Sequence, residues 1–486
     1  MNYENLIEIK SPHVSLPPVI NLNTSPESFW KQTEEEDLIL AKLQIGMWHA
    51  VFPNRPYTPK GIHLMIAPKS DNFETIQSIG RDQLQQLFTF LSPALDKPNI
   101  IIGYNEASDV DLPSAKSWKN LHLHVISLPE LHEGSFVVKE FKDLFEITDE
   151  KSHKKQLSDL YNMLQVHNND FDSIHQDQLG INMLLPYTQN FPQQLVKLIT
   201  SIDQNYRKLT KNKGSYVTAI KRINGNILLR VVPTTFIRGL HGNRFGLMEA
   251  LGFYVNRFDE ETAVDRSSLY SNTLLFVLNL LSNYLNQENS NWNEWYSTKN
   301  RLPINREKEQ EIRHKLMFQE ISKLIDEIDI DTIIEVGIGT GKMMKTLKKI
   351  SGKHIRTIGV DISEKLLQQA KEDEPASNFV QADTFTLPFS NKNRQHALVF
   401  HQGLIEHFNY ENIIRMLREQ LRVAKYVVFS VPSLNYIFPK GLRGDERLLS
   451  LNGWLTILQR AGLKAEGQYY GENEGEKYHI LMRVTE

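Results

Sequence analysis

Residues 331–350, DTIIEVGIGTGKMMKTLKKI, constrain the chain more than any other stretch. An apolar run, 332–336, leads into Gly337, Gly339 and Gly341 and then into a helix-forming segment. Glycines at alternate positions let a backbone turn sharply and approach a ligand that a Cβ would block. The helix that follows offers free N–H groups in its first turn. A second apolar strand, in HIRTIGVDIS, ends at Asp361, 20 residues past Gly341. An acid at that distance suits a pair of ribose hydroxyls. The order continues with Asp383 in FVQADTFTLPF after a third strand, then a strand at 395–400 and the segment HQGLIEHF at 401–408. A helix at 411–423, a strand at 426–431, a helix at 451–461 and a hairpin at 465–484 complete it. Strands alternating with helices predict an α/β domain with a mostly parallel sheet, here of seven strands.

This ordered set resembles the class I S-adenosylmethionine-dependent methyltransferases over residues 310–486. The resemblance implies a Rossmann-like fold with S-adenosyl-L-methionine as cofactor. It implies that Glu335, Gly337, Gly339 and Gly341 hold the methionine part of that cofactor. Asp361, with Ile362 beside it, would take the ribose, Asp383 the adenine, and the segment 402–407, beginning with Gln402, would line the acceptor pocket. The competing reading is a nucleotide-binding dehydrogenase. Glu335 inside the strand and the terminal hairpin speak for the methyltransferase. No Asn-Pro-Pro-Tyr type motif is present, so exocyclic amines of bases are not the expected acceptor, and HQGLIEHF resembles small-molecule methyltransferases more than nucleic-acid ones, which implies a small-molecule acceptor. His407 has two readings: a base towards an acceptor hydroxyl, or a residue that fixes the loop after the fourth strand.

The second signal is NLHLHVISLP, residues 120–129. Strand alternation puts Asn120, His122 and His124 on one face and Leu121, Leu123 and Val125 on the other. Polar side chains on such a face are costly if buried idle. Two histidines at this spacing could bind a metal, donate to phosphate oxygens, or supply a nucleophilic imidazole. No third ligand stands beside them in sequence and the chain has no cysteine, so no metal site is expected. Upstream lie PNRPYTPKGIHLMIAP at 53–68 and IIIGYNEASDV at 100–110, and a loop through Ser117 leads on to the histidine strand. This set resembles the histidine-triad superfamily of nucleotidyl transferases and hydrolases. The resemblance places His122 as the nucleophile, flanked by His124 and by Asn120 in place of the family's first histidine. It places Asn54, Asn105 and Ser117 as nucleotide contacts, with Ser117 also near the chemistry.

Galactose-1-phosphate uridylyltransferase and diadenosine tetraphosphate phosphorylase carry two such α+β units in tandem, with chemistry in the first. Residues 175–285 resemble a degenerate second unit whose strand, NILLRVVP, has no histidine. In FIRGLHGNRFG, Arg238, His241 and Arg244 could clamp a phosphate or form a solvated turn. His49, His63, Trp48, Trp118 and Trp454 read as core residues.

The chain has 486 residues, room for about three domains. The reading divides it into a unit at 1–170, a degenerate unit at 171–290, a polar linker at 291–310 and the methyltransferase-like domain at 311–486. Lys+Arg 55 against Asp+Glu 58 gives a formal charge of -3 with no basic stripe, so nucleic acid is not an expected partner. The absence of cysteine excludes disulfides and thiol catalysis. The start, MNYENLIEIK, has no signal-peptide pattern, and the apolar run at 274–281 is too short to span a bilayer, so a cytoplasmic protein is expected. Three function classes stand. The first is a bifunctional enzyme that transfers, phosphorolyses or hydrolyses a nucleotide or nucleotide-sugar through His122 and methylates a small molecule. The second is a methyltransferase with a nucleotide-binding module lacking chemistry. The third is an enzyme acting on RNA ends or caps.

Overall fold

The computed structural model describes residues 38–43, 48–53, 61–68, 76–97, 99–107, 122–127, 145–165, 172–223, 225–239, 266–285, 314–351, 355–373, 377–437, 445–473 and 475–486. The chain divides into two compact units, Met1–Leu280 and Leu281–Glu486. The expected linker at 291–310 lies outside the described residues. Among the described residues, no helix is long and apolar enough to cross a membrane.

The first unit opens with β1 (Ile39–Lys42), β2 (Trp48–Val51), β3 (His63–Pro68), α1 (Arg81–Leu95), β4 (Ile100–Ala107) and β5 (Leu123–Ser127). After a short β6 (Phe145–Ile147) and α2 (Glu150–Gln165) come β7 (Ser173–Gln176), β8 (Ile181–Pro186), α3 (Phe191–Thr210), β9 (Ser215–Ile223) and β10 (Asn226–Pro233). A strand β11 (Ile237–Gly239) pairs with β6, and α4 (Arg266–Leu285) holds the apolar run of 274–281.

The units read from sequence as 1–170 and 171–290 contribute to one antiparallel sheet of nine strands, in the order β1-β2-β3-β5-β4-β9-β10-β8-β7. That order contains the same connectivity twice. The first half runs hairpin β2–β3, helix α1, hairpin β4–β5, and is arranged β2-β3-β5-β4. The second runs hairpin β7–β8, helix α3, hairpin β9–β10, and is arranged β7-β8-β10-β9. The third strand of each half meets its counterpart at the middle, where β4 pairs antiparallel with β9 from Ile101↔Lys221 to Ala107↔Ser215.

Alternation sorts the two faces. Tyr216 of β9 donates its hydroxyl to Asp203 Oδ1 in α3 at 2.9 Å, which marks its face as the one under the helices. Tyr104 packs edge-on to Tyr216, with ring centroids 6.3 Å apart, and pairs in register with Leu123, so both share that face. α1 and α3 pack on each other. The remaining positions, Gly103, His124, Met65 and Val51, are opposite one another on the other face, together with His63 and His49. His49 and His63 are buried, as the core reading anticipates, but on the histidine face. Trp48 is fully buried.

The second unit begins with α5 (Lys315–Ile328), whose Met317, Phe318, Ile321, Leu324 and Ile325 are buried. It continues β12 (Thr332–Val336), α6 (Lys342–Ser351), β13 (Arg356–Asp361), α7 (Glu364–Asp373), β14 (Asn378–Gln381), β15 (Ala397–Gln402), α8 (Tyr410–Val423), β16 (Tyr426–Pro432), α9 (Leu451–Arg460), β17 (Lys464–Tyr470) and β18 (His479–Thr485). The sheet runs β14-β13-β12-β15-β16-β18-β17, parallel from β14 to β16 and antiparallel at β18 and β17. The expected fourth strand starts two residues later than the sequence suggests, because Asn391–His396 form a 3₁₀ turn first. β12 is buried at every position, as a central parallel strand must be. The chain leaves β12 on one side for β13 and returns on the other for β15, so the loops after β12 and β15 diverge and open a crevice at the carboxyl ends of the strands.

Two packing features give measurable consequences. Asp203 is fully buried and also accepts from Arg207 Nε at 2.9 Å. Asp203→Ala leaves Arg207 and the Tyr216 hydroxyl without this acceptor, and urea unfolding should show a loss of about 3 kcal/mol. In the second unit His401 is fully buried, stacked 5.3 Å from Phe429, which meets Trp454 edge-on. Burial pushes the imidazole down to about 3 from its ordinary 6.5. The unfolded chain therefore binds a proton here that the native chain refuses, and stability falls as pH drops below about 6.5. Between pH 7 and pH 5, wild type should lose about 2 kcal/mol more than His401→Gln in denaturation measured at both pH values.

Candidate active site

The crevice of the second unit is lined first by the turn after β12. Gly337, Gly339 and Gly341 all have left-handed backbones, with φ of 67°, 55° and 76°. A Cβ on Gly341 would stand 3.0 Å from the Ala370 Cβ of α7, and one on Gly337 would stand 3.1 Å from the Leu404 side chain. The turn is thus wedged between a helix and the loop after β15, and only glycine satisfies both conformation and space.

Asp361 at the end of β13 holds the turn in place. Gly339 N–H donates to its Oδ2 at 3.0 Å, and Ser363 N–H donates to its Oδ1 at 2.9 Å. Burial raises the carboxyl above its usual range, although both N–H groups work the other way. Ser363 Oγ then accepts from Leu366 N–H at 3.2 Å and caps α7. Between them Ile362 leaves its side chain outside, 62% exposed. An apolar side chain standing in solvent beside a buried acid can face a flat apolar ring.

Glu335 is the one acid inside β12, only 3% exposed. Burial pushes its carboxyl well above the ordinary carboxylate range. Its Oε2 has no hydrogen-bond partner among the described residues. A buried polar atom left over beside a glycine turn is what a site for an absent polar ligand leaves behind. Asp383 follows β14, exposed, with Oδ1 accepting Phe385 N–H at 2.9 Å in a turn. Ala382 N–H donates to Asp361 O at 3.1 Å, which brings this turn beside Asp361.

The acceptor-side segment begins at Gln402, half-buried and paired with Ser430. Gly403 takes a left-handed φ of 67° and turns the chain into the 3₁₀ turn Ile405–His407. His407 Nδ1 lies 2.9 Å from Asp445 Oδ1. Burial opposes the imidazolium, but its hydrogen bond to Asp445 and the charges of Glu406, Asp445 and Glu446 outweigh it and hold His407 above its ordinary value. Glu406 is 2% exposed, and burial pushes it up to about 7. Arg447 N–H donates to Glu406 O at 2.9 Å and pins the 445–447 segment against the turn. Asp445 and Glu446 are functional candidates that the sequence reading missed. Nothing in their local pattern, GDERLLS, links them to a histidine 38 residues away.

In the first unit, His122 and His124 are buried with ring centroids 5.0 Å apart. His124 Nδ1 lies 3.1 Å from His63 Nε2, so one ring donates to the other. Burial drives His63 down to about 3, which keeps it neutral. His63, buried as the core reading anticipates, is also His124's neighbour. Asn105 lies on β4, next to Tyr104, the partner of Leu123. Arg238 lies on β11, paired in register with Glu146. Asn54, Ser117, Trp118, Asn120, His241 and Arg244 lie outside the described residues.

Residues 333–426 match the family described as "Methyltransferase domain". Solved structures are similar to part of the chain at low identity. A SAM-dependent methyltransferase from Aquifex aeolicus is 18% identical, covering 38% of this chain and 98% of that one, with a TM-score of 0.29. An S-adenosylmethionine-dependent methyltransferase from Clostridium acetobutylicum is 13% identical, covering 40% and 97%, with a TM-score of 0.30. The magnesium protoporphyrin IX methyltransferase from Synechocystis, solved with bound SAM, is 14% identical, covering 43% and 97%, with a TM-score of 0.29. No curated protein matches. With its glycine turn, its acid at the end of β13 and this family match, the second unit carries a class I methyltransferase domain whose cofactor is S-adenosylmethionine.

Proposed function

We propose that this chain methylates a small molecule at the carboxyl ends of β12, β13 and β15, and that its first unit handles a nucleotide at the His122–His124 face. The single observation that carries the first part is the left-handed glycine turn tied to Asp361. The chain's own residues divide the work. The 337–341 backbone and the free oxygen of Glu335 would hold the polar amino-acid part of the cofactor. Asp361 has lone pairs left for the ribose hydroxyls, Ile362 would offer an apolar face to the adenine, and Asp383 would accept from its exocyclic amine. Bound S-adenosylmethionine supplies a methyl group already activated on sulfur. The protein therefore has to align donor and acceptor and exclude water. His407, held by Asp445, faces that task on the acceptor side.

For the first unit the supporting observation is the repeated connectivity. Two halves built alike and joined through their third strands are what a tandem of one ancestral unit predicts, and the His122–His124 pair lies in the first half. In the nucleotidyl-transfer reading, an imidazole nitrogen of His122 attacks the α-phosphorus of a nucleotide. A phosphorus–nitrogen bond forms as the bond to pyrophosphate or a sugar phosphate breaks. An acceptor phosphate or water then displaces the histidine. His124, braced by His63, positions the nucleophile. Asn120 in place of a histidine favours a second reading, in which the face binds a nucleotide without chemistry.

Both parts have direct tests. Calorimetry should show S-adenosylhomocysteine binding to wild type and at least tenfold weaker binding to Asp361→Ala; silence from wild type removes the methyl-transfer reading. Incubation with α-labelled nucleoside triphosphates and nucleotide sugars should leave acid-labile label on wild type and none on His122→Ala. Reversible binding with no covalent label selects the binding-module reading instead.

A further inference from the structure

We propose that the groove lined by α8, the end of α9 and Phe385 binds the phosphate group of a small ligand. The groove encloses about 650 Å³, within the range of about 300–1,000 Å³ that small-molecule sites occupy. Helical spacing builds its wall. Arg415, Arg418 and Arg422 stand at i, i+3 and i+7 of α8 and are all exposed, so one face of the helix carries three guanidinium groups. Arg460, at the end of α9, lines the same groove. The chain as a whole has a formal charge of -3, so this is a local concentration of positive charge. None of the lining residues is among those that would hold S-adenosylmethionine or face the acceptor.

The arginines of α8 are not equivalent. Arg422 is committed to the fold: Nε and Nη2 donate to Glu419 at 2.9 and 2.8 Å, Nη1 to Phe389 O at 2.9 Å, and Nη2 also to Leu387 O at 2.8 Å. Glu419 is committed with it, accepting Leu387 N–H at 2.6 Å as well. The Arg422 hydrogen bond holds the Glu419 carboxyl below its usual range, and Arg415 adds to that by charge alone. Among the described residues Arg415 and Arg418 form no ion pair. Arg418 gives one of its five N–H donors to Ala461 O, at 3.2 Å. The Arg415 guanidinium lies over the Phe385 ring, 4.9 Å from its centroid, which fixes it in place and leaves its N–H groups uncommitted. A neutral donor faces the same space. Tyr410, at the start of α8, lines the groove, and its hydroxyl makes no hydrogen bond among the described residues. Burial raises the phenol above its ordinary value although Arg460 and Arg418 act the other way, so the O–H keeps its proton beside those two charges.

Uncommitted donors that converge on one cavity define what fills it: an anion that accepts several hydrogen bonds at once. Arginine pairs carboxylate and phosphate bidentately, but a phosphate group brings three terminal oxygens and up to about two charges, enough to engage Arg415, Arg418 and Tyr410 together. The spacing separates a phosphate from an acidic peptide. Arg415 and Arg418 lie about 4.5 Å apart along the helix axis. Carboxylates on one face of an extended peptide repeat at about 6.6 Å and fall out of step with that pair. Ile414, Phe385 and Ala461 line the rest of the groove and give an organic body apolar surface. Glu411, the other acid on the groove, is exposed and turns away ligands that lack a compensating charge or present a carboxylate beside it.

The test is calorimetry on the full-length chain at low ionic strength, with inorganic pyrophosphate, glycerol 3-phosphate and a polyglutamate peptide as probes. Both phosphate probes should bind wild type, less tightly as sodium chloride is raised, and the tighter of the two says whether inorganic or organic phosphate is the occupant. Arg415→Gln and Arg418→Gln should each weaken binding about tenfold. Both positions are exposed, and thermal melts that coincide with wild type show that the variants fold. Tyr410→Phe, a milder change, should weaken binding by a smaller factor. His122→Ala and Asp361→Ala should leave it in place, which separates this groove from the two sites proposed above and keeps it standing if either of those falls. The site is refuted if neither phosphate probe binds wild type, or if binding survives Arg415→Gln and Arg418→Gln combined. Tighter binding of polyglutamate than of either phosphate probe overturns the phosphate assignment in favour of an acidic peptide.

Discussion

The second unit depends on one contact, the Gly339 N–H held by Asp361 across 22 residues. Without it, three left-handed glycines at alternate positions would be a floppy turn, since glycine loses more freedom on ordering than any other residue. The carboxylate converts that freedom into one shape. It can do so because β12 and β13 pair in parallel register up to Val336↔Val360, which delivers the glycine turn and the acid to the same level. The same acid then anchors Ser363 and the start of α7. Donor site, strand register and helix entry therefore share one side chain.

The first unit has an analogous hinge of organisation in the β4–β9 ladder. Each half could bury only one face against a single helix. Edge-to-edge pairing makes the two helix-covered faces continuous, and Tyr104, Tyr216 and Asp203 tie strand to strand and strand to helix across the join. The opposite face has diverged. In the first half it is buried and rich in histidine. In the second, Arg230 and Asn182 are half-buried, and Arg230 donates to Asn182 Oδ1 at 2.7 Å and pairs with Asp177.

Features set by local pattern were legible in the sequence. The strand–glycine–helix run, the terminal hairpin and the pair Ser215–Ile223 and Asn226–Pro233 needed only periodicity and turn residues. What stayed hidden depends on contacts distant in sequence. His63 lies 61 positions from His124, and Asp445 lies 38 from His407. Strand pairing and loop docking bring these together, and no spacing rule encodes either. The histidine face also misled in one respect: period-two reasoning placed His122 and His124 side by side but gave no sign that β3 would set His63 beside them. The shared nine-stranded sheet was invisible for the same reason, since two α+β units in a row say nothing about whether their innermost strands meet.

That meeting has a cost for anyone who would cut the chain between its halves. The eight residues of Ile100–Ala107 are shielded along one side only because β9 lies against them. An excised first half would carry them as an open rim of unsatisfied amides and carbonyls, a template for pairing with a sister molecule. The second half, whatever it binds, thus serves as a built-in stopper, and its loss would surface as self-association.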